Sequence, residues 1–158
     1  MTPRTWVLIV VPATRRGRLP GCRWLRIEPS IMFLLDSDVL IWHLRGKPHG
    51  PVQLSSLLDE GLLCTSTLVW FEVLRGVFPH ERSATLALLD ALESIDVDTH
   101  VADLGGTLWK TYRERGRELG AVDCLIAATA LQHDLTLVPL NLKNFPMPEL
   151  RVYGRELN

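Results

Sequence analysis

The chain has 158 residues, 47% hydrophobic and 22% charged, a composition that suits one domain around a single core and excludes a disordered chain. The net charge of −1 hides an asymmetry: residues 1–31 carry six arginines against Glu28, while the other 127 residues carry 11 basic and 17 acidic side chains. So acidic a body excludes a nucleic-acid binder that works by bulk charge; contact with RNA would need cations or a basic partner.

Within residues 1–31 the apolar run 6–11 is too short to span a bilayer. Arg4 alone precedes it, and Arg15, Arg16 and Arg18 follow where a signal peptide needs small residues. The segment reads as a poorly ordered leader, or as translated sequence upstream of a true start at Met32, which leaves residues 32–158 as the domain. Strand 31–36 (IMFLLD) is a continuous apolar run ending in an acid, the pattern of a buried parallel strand. A short helix over 37–44 follows, closed by Gly46 and Pro48. Leu54, Leu57 and Leu58 have helical spacing up to Gly61, and 62–65 reads as a second strand. Ser66 is an N-cap for a helix reaching Gly76.

Leu86, Leu89, Leu92 and Glu93 predict another helix, with a strand at 95–97. A long helix spans about 101–119, weakened near its start by Gly105 and Gly106 and ended by Gly120. Residues 122–133 form a compact helix of small residues, 135–138 a fourth strand and 150–153 a fifth. Strands alternating with helices predict an α/β fold with a central, mostly parallel sheet of four to five strands flanked by helices.

In an open parallel sheet, ligands bind beyond the carboxyl ends of the strands. Asp36 lies at such an end, as a ligand or as a helix N-cap, and Asp38 is either a second ligand or an acid favoured in a first helical turn. Glu72 interrupts the apolar run 68–74, either for a site or as part of a solvent stripe with Arg75. Asp123 opens the small-residue helix, where the positive helix end stabilises a carboxylate; Ala127 and Ala130 lie on its face, so an acid there is costly unless paired. Cys22, Cys64 and Cys124 show no CxxC spacing and cannot all pair, which predicts free thiols in a cytoplasmic protein, with Cys64 and Cys124 as small core residues. The five histidines show no HxH or HExxH arrangement and give no zinc site.

The order of these segments resembles the PIN-domain ribonucleases. LLDSDVLI (34–41) is similar to their first motif, TSTLVWFEVLRG (65–76) to the second and GAVDCLIAATALQHDLTLV (120–138) to the third. The similarity runs from Met32 to about Tyr153 and is strongest to VapC-like toxins of type II toxin–antitoxin systems. It implies a PIN-like three-layer fold, with Asp36, Glu72 and Asp123 as the catalytic metal ligands. Ser37 would brace the site, and Ser66 corresponds to the hydroxyl that starts the second-motif helix. It also implies an RNA substrate, a VapB-like antitoxin, a homodimer and no membrane. The stretch PLNLKNF (139–145) departs from the family: Asn141 and Phe145 match, but Asn144 stands where an acid is usual. Asn144, Asn141 and Asp38 are therefore the secondary candidates for the metal shell.

Three carboxylates about 5 Å apart repel by roughly 3 kcal/mol per pair at an effective dielectric near 20. A divalent cation removes that cost, and hard oxygen donors without cysteine or histidine select Mg²⁺ or Mn²⁺. The chemistry expected is phosphodiester hydrolysis by a metal-activated water, with a 3′-hydroxyl leaving group implied by the resemblance. Two other readings stand beside it. A degenerate PIN domain, lacking the acid at 144, would bind RNA or a protein without cutting. A haloacid-dehalogenase-type phosphatase would use Asp36 as nucleophile and Asp38 as acid/base, but its late lysine and acid pair are not matched by PLNLKN.

Overall fold

The computed structural model describes residues 31–46 and 54–154; the expectations for the leader with its apolar run, and for Cys22 and Pro48, lie outside the described residues. The elements are β1 (Ile31–Leu35), α1 (Ser37–Leu44), α2 (Leu54–Glu60), β2 (Gly61–Ser66), α3 (Thr67–Arg75), α4 (Arg82–Asp90), β3 (Glu93–Ile95), α5 (Thr99–Glu114), α6 (Ala121–Gln132) and β4 (Thr136–Val138), followed by a 3-10 turn at Leu142–Asn144. The strands form one sheet in the order β3-β2-β1-β4, every pairing parallel. Phe33, Leu34 and Leu35 point to alternate faces of the sheet, and all three are buried. Both faces of β1 are therefore covered, which makes the three-layer α/β arrangement. Each such side chain contributes about 2 kcal/mol relative to exposure.

Helix α6 is buried around most of its circumference, with Cys124, Ile126, Ala127, Ala128, Thr129 and Ala130 all enclosed. Its small residues let α5 lie close against it. Gly105 shows why a residue that weakens an isolated helix sits in α5: a Cβ there would come within 2.7 Å of Leu125 Cδ2. The propensity lost, about 1 kcal/mol, is offset by close packing of the two helices. Among the described residues no helix is long and apolar enough to cross a membrane.

Several boundaries differ from the sequence reading. The fifth strand expected at 150–153 is only a single bridge between Val152 and Leu137. The strand expected at 95–97 lies at Glu93–Ile95, because it pairs with the last three residues of β2 in the register Cys64 to Glu93. Glu93 thus belongs to a strand and not to the preceding helix. Helix α5 begins at Thr99, where Asp98 accepts a hydrogen bond from the Val101 N–H at 2.9 Å. It ends at Glu114 and not near 119, since Gly116 takes a φ of +72° that a right-handed helix cannot continue.

The chain proceeds from β1 to β2 and then β3 on one side, and β4 returns on the other. The strand order reverses at β1 and β4, so the crevice of this sheet lies beyond their carboxyl ends. There the Asp36 N–H donates to the Val138 carbonyl at 3.2 Å, tying the two strand ends together.

Candidate metal centre

Four acidic side chains meet at that crevice from three elements. Asp36 leaves β1 in an extended conformation and is the N-cap of α1, its Oδ1 accepting from the Ser37 N–H at 2.8 Å. Capping and a place among the clustered acids are therefore not alternatives for Asp36; it has both. Only 5% of Asp36 is exposed, and burial, with Asp38, Asp123 and Glu72 nearby, pushes its pKa from 3.8 to about 7 against the lowering effect of the Ser37 N–H. Asp38, one residue into α1, is exposed and close enough to raise both Asp36 and Asp123.

Glu72 is carried inward by α3. Ser66 caps that helix, its Oγ accepting from the Val69 N–H at 3.3 Å, while Val69 and Val73 bury one face. Glu72 Oε2 accepts from Ser37 Oγ at 2.9 Å, and Oε1 lies 3.8 Å from Arg75 Nη2. Arg75 is 64% exposed, so water screens that pair and the serine contact fixes the glutamate. A solvent stripe alone does not describe Glu72: its side chain is 15% exposed and turned toward α1.

Asp123 lies in the first turn of α6, whose N-cap is Gly120 and makes no side-chain cap bond. Burial and then Glu72 raise its pKa, while a hydrogen bond from the Asn144 side chain lowers it. A Cβ on Gly120 would stand 2.7 Å from Asp123 Oδ2. That glycine leaves room for the carboxylate, a role beyond the helix stop and motif position that the sequence gives it.

The structure thus brings Asp36, Asp38, Glu72 and Asp123 within electrostatic reach of one another. Among the described residues, however, no three acidic, histidine or cysteine side chains close on a single point tightly enough to hold an ion as they stand. The donor chemistry fits a hard divalent cation: oxygens only, with a buried carboxylate at their centre and like charges around it. Asn141 and Asn144, expected as carbonyl donors, have oxygens already engaged. Asn141 Oδ1 accepts from the Lys143 N–H at 3.2 Å, and Asn144 Oδ1 accepts from Asn141 Nδ2 at 3.0 Å. Cys64 and Cys124 are buried free thiols, and burial pushes Cys64 up to about 12, far from a nucleophile's range.

Comparison with known proteins agrees with this arrangement. The PIN domain family matches residues 33–145, a span that runs from β1 through the 3-10 turn. The chain is 39% identical over 122 residues to Ribonuclease VapC19 of Mycobacterium tuberculosis, covering 76% of this chain and 98% of that protein. Among solved structures it is similar to a toxin–antitoxin complex from Klebsiella pneumoniae, with a TM-score of 0.62 and 26% identity over 74% of this chain and 93% of that one. The same fold occurs in VapBC2 from Rickettsia felis, at a TM-score of 0.67 and 22% identity over 80% of this chain and all of that one. The match favours the PIN reading of the Asp36 strand end over the phosphatase reading. With its motifs, fold and full-length relative in agreement, the chain belongs to the PIN-domain family, among the VapC-like ribonucleases.

Proposed function

We propose that this protein is a divalent-metal-dependent endoribonuclease acting as the toxin of a VapBC-like pair. The observation that carries the proposal is the 39% identity to a protein named as a ribonuclease, over 98% of that protein's length. Asp36, Glu72 and Asp123 are the residues that would hold the ion, with Asp38 at the rim. A bound Mg²⁺ or Mn²⁺ supplies positive charge for the phosphodiester and makes water a stronger acid.

The chain's own groups prepare this chemistry. Asp36 is held by the Ser37 N–H and Glu72 by the Ser37 hydroxyl, so one residue orients two carboxylates. The acidic rim rejects the RNA backbone until a cation is present, which couples substrate binding to metal loading. In the hydrolysis, water attacks phosphorus in line and the P–O3′ bond breaks, leaving a 5′-phosphate and a 3′-hydroxyl. The same carboxylates suit an arginine fork from an antitoxin peptide. The buried free thiols Cys64 and Cys124 support a reducing, cytoplasmic location, and self-association as a homodimer is part of the same reading.

Purified protein should cleave RNA with Mg²⁺ or Mn²⁺ and stop when the metal is chelated. Expression should slow bacterial growth, and co-expression of the adjacent small antitoxin gene should restore it. RNA left intact by folded, metal-supplied protein, with growth unaffected, would overturn the proposal.

A further inference from the structure

The turn after β4 is tied into the site by a chain of hydrogen bonds whose direction can be worked out. A backbone N–H can only donate, so the Asn141 side-chain atom facing the Lys143 N–H is the amide oxygen. The Asn141 nitrogen must then be the atom facing Asn144, 3.0 Å away, and that contact claims the Asn144 oxygen. What Asn144 has left to offer Asp123 is its N–H group, and its side chain is close enough to that carboxylate to lower its pKa. Both asparagines are thus fixed in orientation, and Asn144 faces Asp123 as a donor.

A second contact holds the turn from the side of α6. Arg117, in the loop between α5 and α6, donates from Nη2 to the Lys143 carbonyl at 2.9 Å. Lys143 lies between the two asparagines, so the guanidinium pins the turn to the segment that leads into Gly120 and Asp123. Arg117 and Lys143 are 26 residues apart in sequence, and no strand pairing or α-helix joins the loop to the 3-10 turn to fix their distance. Arg117 supplies that constraint with a charge-assisted bond.

We propose that Arg117 and Asn141 are positioning residues that hold the Asn144 amide against Asp123, so that Asn144 orients a metal ligand and is not itself one. The arrangement replaces a negative ligand with a donor that selects one orientation of the Asp123 carboxylate. It rests on the reading of Asp123 as a ligand for a divalent cation.

The test uses the full chain with Arg117→Ala, Arg117→Lys and Asn141→Ala, each shown to fold by its backbone amide spectrum. The first readout is the side-chain NH₂ signal of Asn144 in ¹⁵N-labelled, metal-free protein. In wild type it should be displaced from the free-amide position and exchange slowly with water; Asn141→Ala and Arg117→Ala should move it back and speed exchange. The second readout is Mn²⁺ titration calorimetry, where both alanine variants should weaken binding by about tenfold, the lower end for loss of a ligand's outer partner. Arg117→Lys, which keeps a donor, should recover part of both effects.

The opposite result is equally clear. If Asn144 were a carbonyl ligand, Asn141→Ala would free its oxygen and tighten Mn²⁺ binding; that outcome, or an unmoved Asn144 signal, overturns the proposal. Wild-type protein that binds no Mn²⁺ would instead overturn the metal reading, leaving the Asn144 signal as an independent test of the hydrogen-bond chain. If Asn141→Ala does not fold, the Arg117 pair decides the matter alone.

Discussion

Ser37 and Glu72 are joined by a 2.9 Å hydrogen bond from the serine hydroxyl to Oε2, across 35 residues of sequence. The bond links the first turn of α1 to the middle of α3, and the same serine donates its N–H to Asp36. One residue therefore sets the spacing of two carboxylates, holding Asp36 through its backbone and Glu72 through its side chain. Ser37→Ala should reduce RNA cleavage by about tenfold through loss of that orientation, while lowering stability by only about 1–2 kcal/mol. Ser37→Thr keeps the hydroxyl and should retain most activity. Cleavage rates and thermal denaturation of the two variants check this; equal activity in Ser37→Ala would show that Glu72 needs no brace.

Metal-free stability should depend on pH through Asp36. Its folded-state pKa of about 7 exceeds the ordinary 3.8, so the folded chain holds this proton more tightly than the unfolded one. Stability is then greatest at low pH on this account. It falls as pH rises from about 4 to about 7, by about 4 kcal/mol at 1.36 kcal/mol per pH unit. Asp36→Asn should flatten that part of the profile and raise the melting temperature of the metal-free protein near pH 8, while abolishing cleavage. Denaturant unfolding at several pH values, with metal chelated, measures the slope; a wild-type profile no steeper than the variant's would contradict the buried-carboxylate account.

Adding Mn²⁺ near pH 8 should offset much of that loss in wild type, since a ligand bound only by the folded state stabilises it by about 2.7 kcal/mol at a hundred times its Kd. Asp36→Asn should show a smaller shift. Melting curves with and without Mn²⁺ provide the comparison.

Gly120→Ala places a Cβ 2.7 Å from Asp123 Oδ2, so the carboxylate must turn away. Cleavage and Mn²⁺ affinity should both fall, while stability changes by no more than about 1 kcal/mol, as for a modest change at an N-cap. An unchanged Mn²⁺ affinity would mean that Asp123 binds metal from a different rotamer.

Starting the chain at Met32 should leave folding stability within about 1 kcal/mol if the domain's core is built by the residues that follow. Ile31 is 53% exposed and pairs only at the first position of β1, opposite Gly61. Urea unfolding of the full and shortened chains tests this; a larger loss would show that residues 1–31 pack on the domain.

The sequence by itself determined the alternation of strands and helices, the buried first strand and the acids at its end. These follow from local pattern: a continuous apolar run, a capping residue, a carboxylate breaking an apolar stretch. Asp36, Glu72 and Asp123 stood out as candidates because an ionisable group beside buried positions is costly, and the motif resemblance singled them out together. Tertiary structure decided what pattern cannot carry. The position of β3 followed from pairing with the end of β2, and α5 stopped at the left-handed Gly116. The role of Arg117 depended on which groups meet across 26 residues of chain, and those of Asn141 and Asn144 on how the turn after β4 faces α6. Arg117 is one of four basic residues between 110 and 117, and composition cannot say which of them reaches a carbonyl. Only the packing of the α5–α6 loop against the turn after β4 selects it, because a hydrogen bond is made by distance and direction in space and not by order along the chain.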